Sequence, residues 1–444
     1  PAPLPHLTAS TGYIAMAPPS GLYSIQRMIA AGSIKFPRIR LVDARPVVHQ
    51  GQRLIILRDP LHLTDRVLAV PQQLAPILAL CDGTREDPAA LNAALAVRFG
   101  SRADIRVIEH LLRALDDAVL LDNDRFRETK KEVLDRYRTA EFRDPALAGP
   151  SYPEDPDELR TMLDGYVEQA GSEPNGNRQS HPAELRGLVS PHIDYMRGGP
   201  VYARVWKEAE DAVRAADLVI ILGTDHYGGD GSITLTRQNY ASPLGVLPTA
   251  TGIVDALARE VGPDAAYEGE LRHCGEHSIE LAAVWLQYIR EGQECEVVPI
   301  LCGSFARFTQ RNGGESIMDA SDEFSGLIEV LNEAARGRKA LFVAAGDLSH
   351  VGPAFGGPSV DFAARALLQQ QDEELIDRIC AVDAEGFLSA IRAIEDRNNV
   401  CGVSPIYLAL KALGQGEGYS HGYNRCPADE TGTSLVSICG ATIS

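Results

Sequence analysis

Apolar positions along this chain fall into short runs and helical stripes, and their spacing changes near residue 142. Before that point residues 54–57 (LIIL) read as a strand, and residues 72–80 as a helix that ends at the Asp82-Gly83 turn. Residues 104–117 place Ile105, Ile108, Leu111, Leu112 and Leu115 on one helical face, and the apolar 118–121 follows. This predicts a small winged-helix-like α+β module. Further along, residues 185–190 (LRGLVS), 218–222 (LVIIL), 297–301, 340–345 (ALFVAA) and 434–441 read as strands. Between them, residues 201–215, 278–290, 360–380 and 405–413 have helical periodicity. Buried strands alternating with helices predict an α/β fold with a mostly parallel or mixed central sheet. Two turn-rich stretches, 142–157 with four prolines and the polar 171–182, break the pattern. We expect two domains, 1–140 and 141–444, each folding separately.

The residues just beyond the strands carry the chemistry. His192 and Asp194 come after the 185–190 run, Asp225 and His226 after 218–222, and Asp347 and His350 after 340–345. In open α/β sheets the loops at the carboxyl ends of the strands converge on the ligand crevice. Only 11 histidines occur in the whole chain, so three at equivalent strand ends point to a common site. Neutral imidazole is a good ligand for iron, zinc and copper, and a nearby carboxylate fixes its tautomer. Two imidazoles hold such an ion poorly without an anionic third donor. Cys401, in the turn Asn398-Asn399-Val400-Cys401-Gly402, is the candidate. A lone cysteine is as readily a small buried hydrophobe, so composition alone does not make it a ligand.

The segment His273-Cys274-Gly275-Glu276-His277 reads H-x-x-E-H, the inverted zinc-protease pattern. That pattern needs one continuous helix, whereas Gly275 lies inside it and helical periodicity begins only after His277. We read a loop entering a helix, with His277 in reach of the same crevice.

Charge narrows the partners. The net charge is −19 over 444 residues, and such a surface repels nucleic-acid phosphates and anionic lipid. No apolar run approaches the roughly 20 residues that span a bilayer. Residues 1–20 lack the basic flank and apolar core of a signal peptide. The eight cysteines form no C-x-x-C pair, the pattern of reduced thiols in a cytoplasm. We expect a cytoplasmic protein, with homo-oligomers compatible with this surface.

These blocks resemble the Memo family, in bacteria protein B of the AmmeMemoRadiSam system. The resemblance runs along most of 143–444, through ALAGPSYPEDPDELRTML, SPHIDYMRGGPVYA, ILGTDHYGG, YASPLGVLPT, EHSIE, VPILCGSF, AAGDLSHVG and NNVCGVSPIYLALKALG, in that order. The LCDGTR turn and the LLRALDDAVLL helix end resemble, over a much shorter span, PqqD-like modules that bind leader peptides. The Memo fold is similar to that of class III extradiol dioxygenases, which are non-haem iron enzymes. By that resemblance His192 and His226 are metal ligands, and Cys401 stands where the dioxygenases have a ligating carboxylate. His350 takes the place of a catalytic acid/base, and Asp347 and His277 line the pocket. A thiolate favours copper, zinc or thiolate-ligated iron over an ordinary oxygen-activating iron centre. The chain departs from the family's wording at Asp194, within His-Ile-Asp-Tyr, and at Asp225, within Thr-Asp-His-Tyr. Those carboxylates are candidates for acceptors behind the imidazoles, further ligands or plain turn residues.

Three functions are compatible with these residues. The first is a mononuclear iron or copper oxidoreductase, dioxygenase-like, acting on a small molecule. The second is an adaptor that holds a small-molecule or peptide ligand in the same pocket without turnover, the N-terminal module docking a protein partner. A zinc hydrolase ranks last.

Overall fold

The computed structural model describes residues 34–172, 184–310 and 319–444. The leader reading of 1–20 and most of the turn-rich 171–182 lie outside them. The chain divides into two compact units, one up to Thr139 and one from Ala140 onward.

The first unit opens with three strands, β1 (Asp43–His49), β2 (Gln52–Arg58) and β3 (Leu68–Pro71), paired antiparallel in that order. Four helices follow: Ala75–Leu80, Pro88–Phe99, Ile105–Asp117 and Asp124–Thr139. Asp87 and Asp104 cap the second and third, each accepting a backbone N–H of the first turn. The stripe Ile108, Leu111, Leu112 and Leu115 is buried with Leu57, Val70, Ile77, Leu91 and Leu95. A buried ion pair, Arg40–Asp59 at 2.6 Å, completes this core.

The second unit is built on a mixed sheet. Its strands are β4 (Gly187–Ser190), β5 (Leu218–Thr224), β6 (Ile233–Leu235), β9 (Glu296–Cys302), β10 (Ala340–Ala345), β11 (His350–Val351), β12 (Gly418–Pro427) and β13 (Leu435–Ile443). The strands β7 (Tyr240–Ser242) and β8 (Gly245–Leu247) form a separate hairpin. The spatial order is β11-β13-β4-β10-β5-β9-β6, with β12 also on β13. The four central strands β4, β10, β5 and β9 run parallel, while β13 and β6 join them antiparallel.

Alternate residues of these strands face different helical layers. Leu218, Ile220, Leu222, Val298, Ile300, Phe342 and Ala344 pack with helices Thr251–Val261, Ser325–Ala335, Phe362–Cys380, Ala384–Ala393 and Val403–Leu413. Val219, Ile221, Val297, Leu301, Leu341 and Val343 pack with helices Pro156–Ser172, Tyr195–Glu208 and Ser278–Arg290. Burial on both faces explains why β5 and β10 read as unbroken apolar runs rather than alternating ones. The fold class expected from the sequence is the one observed. The 201–215 stretch is two helices, Tyr195–Glu208 and Glu210–Ala215, and the first starts earlier, where Asp194 caps it by accepting the Arg197 N–H. Among the described residues no helix is long and apolar enough to cross a membrane, and the eight cysteines are free.

Candidate metal centre

Register brings the loops together. Ala345 of β10 lies opposite Ser190 of β4 and Gly223 of β5, so all three parallel strands end at the same level. β10 sits between the other two, and its loop 346–350 becomes the scaffold for its neighbours. Asp347 Oδ1 accepts the backbone N–H of His192 at 2.7 Å and of Ile193 at 3.3 Å. On the other side Gly402 N–H donates to Asp347 O at 2.9 Å, and His350 N–H to Asn398 O at 2.7 Å. The two chains approach so closely that a Cβ on Gly402 would lie 2.5 Å from Asp347 O. Glycine there is what lets Cys401 reach the pocket.

Three donor atoms converge. His192 Nδ1 lies 3.0 Å from Ala345 O, and a carbonyl only accepts, so the proton is on Nδ1 and Nε2 keeps its lone pair. That Nε2 faces Cys401 Sγ at 3.2 Å. His226 Nδ1 is held by the Glu276 carboxylate at 3.0 Å, which leaves its Nε2 buried without a hydrogen-bond partner. Ligand atoms of His192, His226 and Cys401 lie within 4.8 Å of one another. A buried imidazole nitrogen without a partner is costly unless a cation takes it. With two imidazoles oriented by their other nitrogens and a thiol between them, the residues fit a transition metal.

Electrostatics agree. Burial holds the His192 imidazole down at about 4, so it is neutral and free to ligate at neutral pH. Burial works against charge on His226 as well, but the Glu276 carboxylate outweighs it and raises that imidazole. A cation at Nε2 would displace the extra proton and inherit the same carboxylate. Burial, with Asp347 adding to it, pushes the Cys401 thiol well above its usual value. A bound cation is the partner that would make it a thiolate.

The remaining candidates fall into place around this group. Asp347 Oδ2 is 3.8 Å from His192 Nε2, and Asp347, His350 and Cys401 form an overlapping donor group. His350 is buried, its Nδ1 3.2 Å from Leu348 O and its ring edge-on to Phe355. His277 stacks on His226, ring centroids 4.7 Å apart, and its Nδ1 lies 3.1 Å from Glu276. The two extra aspartates are engaged elsewhere. Asp194 caps the helix Tyr195–Glu208 and pairs with Arg197. Asp225 is buried in an ion pair with Arg272 at 2.7 Å. The acceptor behind His226 is Glu276, which sequence reasoning misses. The H-x-x-E-H segment holds that signal in another form: a short helix, Arg272–Gly275, ends at Glu276, and His277 opens the helix Ser278–Arg290.

Two expectations arise here. Glu276→Gln keeps the shape but removes the charge behind His226, and is expected to weaken metal affinity about 10–100-fold. Competition with a chelator of known affinity measures this, and wild-type affinity would remove Glu276 from the site. The second concerns pH. Burial lowers His192 and His350 from 6.5 to about 4 and His273 to about 3. Below 6.5 the unfolded chain therefore takes up protons that the fold refuses, and stability falls as pH drops. Asp396, raised by burial to about 7, and His226, raised by Glu276, act in the opposite sense against these three lowered rings. The thermal midpoint should fall between pH 6.5 and 4.5; a flat or rising profile contradicts these buried neutral rings.

A family model described as Memo-like protein matches residues 143–426. A MEMO1 family protein of Aquifex aeolicus (strain VF5) is 27% identical over 411 residues, covering 91% of this chain and 98% of its own. One from Methanopyrus kandleri is 31% identical over 284 residues, covering 62% of this chain and 89% of its own. One from Thermococcus kodakarensis is 30% identical over 277 residues, covering 60% and 85%.

Proposed function

Since the chain belongs to the Memo-like family, we propose that its strand-end pocket is a mononuclear iron or copper site serving oxidoreductase chemistry on a small molecule. The observation that carries this reading is the unpartnered, buried Nε2 of His226 beside His192 Nε2 and Cys401 Sγ. An iron or copper ion would supply one-electron chemistry that amino-acid side chains lack. The thiol makes the donor set soft, suiting copper or thiolate-ligated iron, while the Asp347 carboxylate offers a harder oxygen beside it. Asp194 and Asp225 pair with Arg197 and Arg272 rather than with the imidazoles. His350 is the residue we assign to proton movement. Burial keeps it neutral, Leu348 O holds its Nδ1, and its Nε2 is the atom that takes the proton. His277, partly exposed and braced by Glu276, stacks on His226 and lines the pocket.

The test is metal analysis of the purified protein by plasma mass spectrometry, followed by oxygen uptake across a panel of catechols. About one equivalent of iron or copper with turnover supports the proposal. Metal without turnover moves the adaptor reading ahead, and ester or amide hydrolysis confined to the zinc form moves the hydrolase ahead.

A further inference from the structure

The loop 346–350 has a second anchor, outside the pocket. Asp372, on the helix Phe362–Cys380, is completely buried. Its partners are hydroxyl groups from three other elements. Ser349 Oγ donates to Oδ1 at 2.6 Å, Tyr423 of β12 donates to Oδ2 at 2.8 Å, and the Ser437 hydroxyl of β13 also bonds to it. Ser349 N–H in turn donates to Ser437 Oγ at 2.9 Å. Burying a carboxylate costs several kcal/mol, and an apolar residue would fill the same space without that cost. What the carboxylate adds is direction: two oxygens fix three hydroxyls, one of them two residues from Asp347 and next to His350.

That loop registers the pocket. Through Asp347 it holds the backbone of His192, and through Asp347 O and His350 N–H it holds the turn that carries Cys401. We propose that Asp372 is a positioning residue for the metal pocket, acting through Ser349 on the separation of His192 and Cys401. The inference rests on the reading of that pocket as a metal site.

The experiment is a cobalt(II) titration of the full chain, with the thiolate-to-cobalt charge-transfer band as the report on Cys401. Ser349→Ala and Asp372→Asn are each expected to weaken binding about 10-fold, at the lower end of the range for outer partners, and to diminish the band. Combining them should add little to the larger single effect. Tyr423→Phe removes a hydroxyl from the same carboxylate on the side away from the loop. It is expected to lower the thermal midpoint and leave affinity and band unchanged. If Asp372→Asn does not fold, Ser349→Ala carries the test. Wild-type affinity and band in folded Ser349→Ala overturn the inference, and so does an equal loss in Tyr423→Phe. A wild-type protein that binds no cobalt, iron or copper overturns the metal reading itself, a distinct result.

Discussion

His226→Ala and Cys401→Ser are each expected to leave the purified protein without its metal, whereas His350→Ala keeps it. The three substitutions separate ligands from neighbours. His226→Ala removes the pocket's unpartnered buried Nε2 and strands the Glu276 carboxylate, still buried against His277. Cys401→Ser changes little in volume, but a hydroxyl does not ionise under a metal as readily as a thiol, so the anionic donor is lost. Each loss should exceed the roughly 10–100-fold expected when only an outer partner such as Glu276 is changed. Metal content by plasma mass spectrometry and affinity by chelator competition give the numbers. A second readout is independent of content. Metal present at 100 times its dissociation constant stabilises the fold by about 2.7 kcal/mol. Wild type and His350→Ala should show this rise in thermal midpoint, and the two ligand variants should not. Full metal content in Cys401→Ser sinks the proposed donor set.

How much of this was legible in the sequence depends on what each residue type can signal by itself. β5 and β10 were readable because both faces are buried, which forces a run such as Leu218 to Leu222 to be apolar throughout. The histidines after those strands could be located for the same reason, since strand ends can be found where strands can. β12 was not readable. Its sequence, GYSHGYNRCP, pairs with β13 by backbone while its side chains stay half-exposed and mixed, so no hydrophobic period marks it. β1 escaped similarly, with four of its seven residues exposed. For the aspartates beside the histidines, proximity in sequence does not fix direction. Asp194 turns to the helix it starts, and Asp225 turns to Arg272. The carboxylate that does meet His226 comes from fifty positions further along. Only tertiary structure reveals such a partner.

The loop that delivers Glu276 depends on one buried ion pair, and breaking it is expected to cost both stability and metal. Arg143, the first residue of the family match, has its guanidinium 2.5 Å from Glu280, with both side chains about 1% exposed. The same guanidinium donates to the carbonyls of His273, Cys274 and Glu276, at 2.5, 3.3 and 3.2 Å. Glu280 in turn accepts from Ala146 N–H, Leu147 N–H and the Tyr152 hydroxyl. One pair therefore ties the opening stretch of the unit to the loop behind His226. Arg143→Met leaves a buried carboxylate without its cation and three carbonyls without a donor, a loss of about 3–5 kcal/mol. For a unit of this size that is on the order of 10 °C in thermal midpoint. Glu280→Gln keeps an acceptor for the backbone N–H groups and should cost less. Because the carbonyl of Glu276 is itself one of the three, Arg143→Met should also weaken metal binding at temperatures where the protein remains folded. Calorimetry with and without metal separates the effects. A variant that loses stability but binds metal like wild type would mean that Glu276 is held in place by His226 and His277 alone.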